Sequence, residues 1–140
     1  MTRADLVRLL REHRLAVVST VGPDGGPQSA VVGCAISDDL EIVFDTLEDT
    51  RKARNLRAEP RCVVTTDSPT EPVVVEGVAE TVRDLGAIQE LVARMNAKYS
   101  SDITVEFMDP DVNATFCVRP RWVFSLNDKE FTASPTRWQF

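Results

Sequence analysis

Short stretches in which apolar residues occupy every second position recur along most of the chain. The clearest covers residues 40–45, where Leu40, Ile42 and Phe44 alternate with the positions between them. A period of two residues is typical of a strand with one buried face. Turn signals rich in Gly, Pro, Asp and Ser separate these stretches. The pattern predicts strands over residues 15–20, 28–36, 40–45, 61–66, 73–83, 113–119 and 121–126.

Two other segments have the spacing of amphipathic helices. Residues 2–5 resemble a capping box, and Leu6, Leu9 and Leu10 follow at helical spacing, so we expect a short helix that ends near His13. Apolar residues recur at helical spacing again between residues 84 and 98. We expect this second helix to pack its apolar stripe on the sheet.

A third helix is expected between two strands, starting just after residue 50. Asp49 or Thr50 can cap it, because either side-chain oxygen can accept from a free N–H of the first turn. Pro60 disfavours helical backbone at the residue before it, so the helix must end near residue 58. Helical geometry places Ala53 and Leu56 on one face, and Arg51, Arg54 and Asn55 on the other.

A run of short alternating strands with few helices indicates a mainly β fold. We expect one antiparallel barrel domain over residues 1–140, with six or seven strands and two or three peripheral helices. The first three strands follow one another through short turns and are expected to form a meander. Gly77 lies within a long predicted strand, where it indicates a bulge or a close backbone approach.

The amino-acid composition and net charge argue against several classes of function. The 140 residues are 43% hydrophobic and 27% charged, with a net charge of −6, which disfavours binding to nucleic-acid phosphates. We expect neither a signal peptide nor a membrane span, since no run approaches about 20 apolar residues. The three cysteines lie in apolar stretches without short spacing, which indicates reduced thiols in a cytoplasmic protein. A single histidine makes a metal site or a Ser-His-Asp triad a poor expectation.

The window 51–61 departs from this acidic background. It holds five cationic residues and one glutamate. Arg51 and Lys52 fall in the first turn of the predicted helix, where the macrodipole favours anions over cations. A phosphate bound at that helix start would resolve the conflict. The alternative is that both side chains are solvated cations on a surface turn.

This same segment resembles a known family. Residues 44–46, 50–56 and 59–61 are similar to the phosphate-binding segment of pyridoxamine 5′-phosphate oxidase-like proteins, which are FMN-binding split β-barrel flavoproteins. The resemblance runs from about residue 15 to the C-terminus. It implies that Arg51 and Lys52, helped by Thr50 and Thr46, hold the terminal phosphate of the cofactor, and that Asp45 on the same segment is also a cofactor-binding residue. It also implies that the backbone of the second strand runs along the flavin ring, at Ser29, Ala30, Val31 and Val32.

The resemblance implies a flavin-dependent oxidoreductase that binds FMN and acts on an unidentified small molecule. One branch of the family binds a deazaflavin, so a deazaflavin (F420)-dependent reductase is an alternative, as is a protein that binds or stores a flavin without turnover. No catalytic side chain is assigned, because the flavin would carry the electrons. Pyridoxamine phosphate oxidation itself is not expected, since Cys34 or a neighbour stands where a substrate-binding lysine is expected and no second phosphate site is evident.

The C-terminal region is rich in aromatic residues. Trp122, Phe131, Trp138 and Phe140 lie there, and such side chains are enriched in interface cores. The resemblance implies a homodimer with the cofactor at the subunit interface. We therefore expect Arg137 and Trp138 to meet the partner's cofactor. The alternative is that this tail folds back on its own barrel as an ordinary strand.

Overall fold

A computed structural model of the chain describes residues 2–126 and 136–140. This part of the chain contains eight strands, three α-helices and one 3-10 helix. In chain order they are α1 (Arg3–Glu12), β1 (Ala16–Val21), β2 (Pro27–Val32), β3 (Ala35–Ile36), β4 (Ile42–Leu47), α2 (Arg51–Ala58), β5 (Arg61–Thr66), β6 (Val73–Val82), α3 (Leu85–Tyr99), the 3-10 helix Val105–Met108, β7 (Asn113–Ser125) and β8 (Thr136–Gln139). The predicted mainly β, antiparallel split barrel with peripheral helices is confirmed.

The strands form one antiparallel sheet in the order β2-β1-β5-β6-β7-β4-β3, and β8 pairs with β7. β2 and β3 lie at opposite ends of this order, yet only Gly33 and Cys34 separate them in the chain. An extended link of this length reaches only about 10 Å. The two ends of the sheet therefore lie close together, and the sheet curls. The expected meander is confirmed only in its two antiparallel pairs, β1 with β2 and β3 with β4, because β2 and β3 lie at opposite ends of the sheet and β7 pairs with the other side of β4.

The curled sheet separates two apolar clusters. Ile42 and Phe44 face the interior, where Phe44 packs on Phe116 with ring centroids 5.8 Å apart. Val43 points to the opposite face, as the alternation along a strand requires. There it packs in a second cluster, which lies beneath α3 and includes Ile88, Leu91, Val92, Met95 and Met108.

The strand predicted over residues 28–36 is wrong in one respect, because it is interrupted between β2 and β3. The cause is a side chain from α3. The Tyr99 hydroxyl accepts from the Cys34 N–H at 3.1 Å and donates to the Arg14 carbonyl. A Cβ at Gly33 would lie 3.2 Å from that hydroxyl oxygen. Tyr99 thus accepts the hydrogen bond from the Cys34 N–H, which is then not available to a neighbouring strand.

The two final strands predicted over residues 113–119 and 121–126 are one continuous strand, β7. Pro120, which lacks an N–H, is tolerated because it falls where one neighbour of β7 changes: β4 pairs as far as Val118, and β8 pairs from Trp122. On the other side the register with β6 shifts at Gly77, which confirms the predicted bulge. A Cβ at Gly77 would lie 2.5 Å from the Arg119 carbonyl oxygen, so the strands approach too closely there for a side chain.

The helix boundaries agree with the predicted signals. Thr2 and Asp5 form the expected capping box at the start of α1, and His13 follows its last residue. Asp84 caps α3 through the Ala87 N–H. Within the described part of the chain, none of the helices has the length and apolarity needed to cross a membrane.

Candidate functional site

The site is built where β4 turns into α2. The Thr50 N–H donates to the Leu47 carbonyl at 3.2 Å, which closes the turn. Of the two predicted caps, Thr50 is the one used: its Oγ1 accepts from the Ala53 N–H at 3.4 Å. The Thr46 hydroxyl lies 3.1 Å from the Thr50 hydroxyl. The turn therefore places two hydroxyl groups at the start of α2.

A pocket of about 240 Å³ opens beside the first turn of α2. It is lined by Val18, Thr20, Gln28, Ser29, Ala30, Arg51 and Lys52. The structure therefore brings the predicted phosphate residues Arg51 and Lys52 together with the predicted ring-contacting residues Ser29 and Ala30. Among the other predicted ring contacts, Val31 is 62% exposed outside the lining, and Val32 is buried in the core.

The cations of the window 51–61 differ in their partners. Arg57 pairs with Glu48, with 2.6 Å between Nη2 and Oε1, and Arg61 pairs with Glu59. Arg54 donates to the Asp49 carbonyl. Arg51 and Lys52 form no ion pair with any carboxylate in the described part of the chain. Arg54 forms no ion pair there either, but of these three cations only Arg51 and Lys52 line the pocket.

Lys52 makes no hydrogen bond within residues 2–126 and 136–140, so its ammonium group is available to a ligand. Its electrostatic neighbour is Asp45 on β4, a half-buried carboxyl outside the pocket lining. Burial raises the pKa of Asp45, and the charge of Lys52 opposes that rise. Lys52 thus carries a positive charge that the protein compensates only in part.

Sequence reasoning missed a polar network behind Arg51. The sequence groups Asn55 with Arg51 and Arg54 on the face opposite Ala53 and Leu56, and the structure shows that Asn55 is 4% exposed. Asn55 is buried because α2 packs against β1 and β2, which supply polar partners for its side chain. Its Nδ2 donates to Thr20 Oγ1 at 3.0 Å and to Gln28 Oε1 at 2.8 Å. The signal in the sequence for this buried network was the position of the polar Asn55 directly before the apolar Leu56 on a short helix.

The structure does not bring Arg137 and Trp138 to this pocket within one chain. Both belong to β8, which pairs with β7 through Trp138 and Val123. Trp138 packs against the barrel core, and the Arg137 guanidinium lies 5.3 Å from the centroid of the Phe124 ring. Residues 136–139 thus adopt the alternative, a strand on their own barrel. Phe131 and Ser134, which also belong to the predicted tail, lie outside the described residues.

The cysteines are buried or half-buried free thiols. Burial raises the pKa of Cys62 to about 11. Burial and the neighbouring Glu41 carboxylate raise the pKa of Cys117 to about 12. No group of three or more potential metal ligands occurs among the residues that the structure describes. The pocket lining instead offers hydroxyl, amide and cationic groups, which suit the binding and orientation of an anion.

Comparisons with known proteins identify the family of the chain and solved structures that share its fold. The sequence model of one family, described as pyridoxamine 5′-phosphate oxidase, matches residues 2–127. A search of curated proteins gives no match. Among solved structures, a conserved hypothetical protein from Mycobacterium tuberculosis is 26% identical, with a TM-score of 0.80 over 92% of this chain and 86% of the other. A protein described as an F420 reductase is 25% identical, with a TM-score of 0.67 over 83% of this chain and 94% of the other.

A heme-binding protein from Mycobacterium smegmatis is also similar. It is 17% identical, with a TM-score of 0.73 over 99% of this chain and 58% of the other. At that identity the similarity shows the fold alone. Since the fold is shared with a heme-binding protein, the ligand of this chain must be argued from its own pocket.

Proposed function

The chain belongs to the pyridoxamine 5′-phosphate oxidase family, and from this premise we propose that it is a flavin-dependent oxidoreductase that binds FMN and reduces or oxidises a small molecule. The observation that carries the proposal is the pair of cations at the start of α2. Arg51 and Lys52 line a pocket and form no ion pair in the described chain, whereas Arg57 and Arg61 in the same window are paired with glutamates.

The terminal phosphate of FMN fits this end of the pocket. Charge-assisted hydrogen bonds to phosphate are stronger than neutral ones, and the first turn of a helix supplies further N–H donors. Thr46 and Thr50 lie outside the pocket lining, and the Thr50 hydroxyl donates to the Leu47 carbonyl, so these residues shape the turn that presents the two cations. A phosphate would thus offset the unfavourable placement of two cations at the positive end of the helix dipole.

The ring is assigned to β2. This strand pairs only with β1 in the described sheet, so its outer edge has backbone donors and acceptors free of strand partners. Ser29 and Ala30 line the pocket, and Val31 offers an apolar side chain beyond it. The bound flavin would supply the redox chemistry, while the protein's groups bind and orient it.

A homodimer completes the proposal. A flavin lying along an edge strand would be open on one side, and a second copy related by a two-fold axis would cover it and form two equal sites. Arg137, exposed on β8, is proposed to face the partner's cofactor. The free thiols fit a reducing cytoplasmic location.

One observation favours a second candidate. The similar F420 reductase is 25% identical over most of its length, so a deazaflavin-dependent reductase is the alternative. An F420 chain also carries a phosphate, which Arg51 and Lys52 can hold. The same pocket therefore serves both candidates.

Identification of the native ligand tests the proposal. The purified protein is denatured, and its ligand is identified by absorption and mass spectrometry. The apoprotein is then titrated with FMN and with F420. Binding of FMN followed by turnover with an electron donor and acceptor supports the proposal. Preference for F420 selects the second candidate, and tight binding without turnover indicates a flavin-storage protein. Failure to bind either cofactor overturns the proposal.

A further inference from the structure

We infer that Gln28, held by the buried Asn55, positions the Arg51 guanidinium for recognition of the cofactor phosphate. The inference rests on the proposed function and adds a positioning residue to it. Gln28 lies at the start of β2 and Arg51 at the start of α2, so they are 23 residues apart in the chain. A side-chain amide of β2 therefore sets the direction of a cation on α2.

The hydrogen bonds converge on one oxygen. Gln28 Oε1 accepts from Arg51 Nε at 2.9 Å and from Asn55 Nδ2 at 2.8 Å. An amide oxygen has two lone pairs, so both are used. With Nε engaged, the terminal Nη1 and Nη2 groups of Arg51 have no hydrogen-bond partner in the described chain. They form the fork that binds two oxygens of a phosphate.

The network is anchored in the protein interior. Asn55 also donates to Thr20 Oγ1 at 3.0 Å, and both residues are buried. Thr20 and Gln28 are directly opposite each other on β1 and β2. Asn55 therefore binds both members of one cross-strand pair. Because a buried amide is costly to leave unpaired, this arrangement holds Gln28 in place.

The glycine-rich turn supports the same placement. A Cβ at Gly22 would lie 2.7 Å from Gln28 Nε2 and 3.2 Å from Gln28 Cδ. The Gln28 amide thus occupies space that exists because residue 22 has no side chain. β2, assigned to the ring, and α2, assigned to the phosphate, are thereby joined by a single side chain.

A purely structural role for Gln28 makes a different prediction. If Gln28 only packed the hairpin, its loss would weaken the binding of phosphorylated and unphosphorylated flavins alike. If it acts through Arg51, only the phosphate contribution should fall. Comparison of FMN with riboflavin, which lacks the phosphate, separates the two roles without reference to enzyme activity.

The test is a set of equilibrium titrations by flavin fluorescence on the full-length apoprotein. Gln28→Ala should lower the affinity for FMN about tenfold, since it removes a hydrogen bond to a charged group, and change riboflavin affinity by less than about twofold. In an Arg51→Ala background, the same substitution should have almost no further effect on FMN affinity, because the group it positions is gone. Gln89→Ala, at an exposed glutamine on α3, is the matched control.

The outcomes are distinguishable. Equal losses for FMN and riboflavin, no loss for either, or a full further loss in the Arg51→Ala background would overturn the inference while FMN binding by the unmodified protein stands. If the unmodified protein prefers F420, the same comparison uses F420 and its phosphate-free deazaflavin core. If it binds neither cofactor, the proposed function fails and the inference fails with it.

Discussion

Arg57, in the last turn of α2, forms an ion pair with Glu48, in the turn that precedes the helix. The distance from Nη2 to Oε1 is 2.6 Å, and both side chains are about one-third exposed. The other carboxylate oxygen of Glu48, Oε2, is buried and has no hydrogen-bond partner in the described chain. The ion pair links the last turn of α2 to the turn that precedes the helix. It therefore stabilises the turn from which Thr50, Arg51 and Lys52 follow.

Loss of this pair should destabilise the fold measurably. Arg57→Ala is expected to lower the free energy of unfolding by about 1 kcal/mol, at the upper end for a partly exposed pair, because it leaves the Glu48 carboxylate unpaired. Arg8→Ala, which breaks the more exposed pair with Glu12 on α1, should cost less than about 0.5 kcal/mol. Urea unfolding of both variants measures the difference. Equal effects would show that the Glu48 pair has no special role.

Lys52 is expected to contribute to affinity rather than to stability. Lys52→Ala should weaken FMN binding about tenfold or more, since a charge-assisted hydrogen bond contributes about 1.5–3 kcal/mol. The free energy of unfolding should change by no more than about 0.5 kcal/mol, because Lys52 has no hydrogen bond or ion pair in the described chain to lose and interacts with Asp45 only through a weaker electrostatic attraction. Titration calorimetry measures the affinity.

Arg61→Ala is the control for Lys52. It removes a cation from the same window, but one that Glu59 already neutralises. FMN affinity should be unchanged in this variant. If both variants lose affinity equally, a diffuse basic surface rather than a specific phosphate contact explains the binding.

The C-terminal segment should contribute to both assembly and cofactor binding. Deletion of residues 134–140 removes β8 and leaves the β7 edge at Trp122–Ser125 unpaired. We expect a folded protein that sediments as a smaller species and binds FMN more weakly, because the proposed contact of Arg137 with the partner's site is lost. A truncated protein that remains dimeric and fully loaded with cofactor would restrict the role of β8 to its own barrel.

Asp45 should make stability depend on pH in the direction opposite to a typical carboxylate. Burial raises its pKa above the ordinary value of 3.8, so the folded protein binds this proton more tightly than the unfolded chain does. Its charge therefore weakens the folded state at neutral pH, and this penalty disappears as the pH falls through the raised pKa. Asp45→Asn should raise the free energy of unfolding at neutral pH, and the gain should shrink as the solution is acidified. Urea unfolding at several pH values tests this, with the exposed Asp49→Asn as control; a gain that is constant with pH would contradict it.

The thiols should react slowly in the folded protein. With a pKa of about 11, Cys62 is on the order of 0.1% thiolate at about pH 8, and Cys117 with a pKa of about 12 is less ionised still. Burial also raises the pKa of Cys34. We expect Ellman's reagent to label the native protein slowly at this pH and the denatured protein at once. Rapid labelling of the native protein would show that a thiol is more accessible than the structure indicates.

Local signals in the sequence were enough to locate most of the helices and strands. Period-two alternation identified the strands, and caps and breakers identified the ends of the helices: Thr50 and Pro60 bound α2 much as predicted. These signals act between residues a few positions apart, so they do not depend on how the chain folds as a whole. The conflict between two cations and a helix start is a local signal of the same kind, and it marked Arg51 and Lys52 as candidates for anion binding.

Contacts between residues far apart in the chain could not be predicted in this way, because they depend on how the whole chain folds. The break after β2 depends on Tyr99, which comes from the end of α3, and the continuity of β7 through Pro120 depends on the gap between β4 and β8. Asn55 and Gln28 form a hydrogen bond because α2 packs across β1 and β2 and buries the Asn55 side chain against these strands. Contacts of this kind depend on how the sheet curls, since the curl brings distant residues together. The free-energy cost of burying a polar group depends in turn on whether these neighbours can form hydrogen bonds with it.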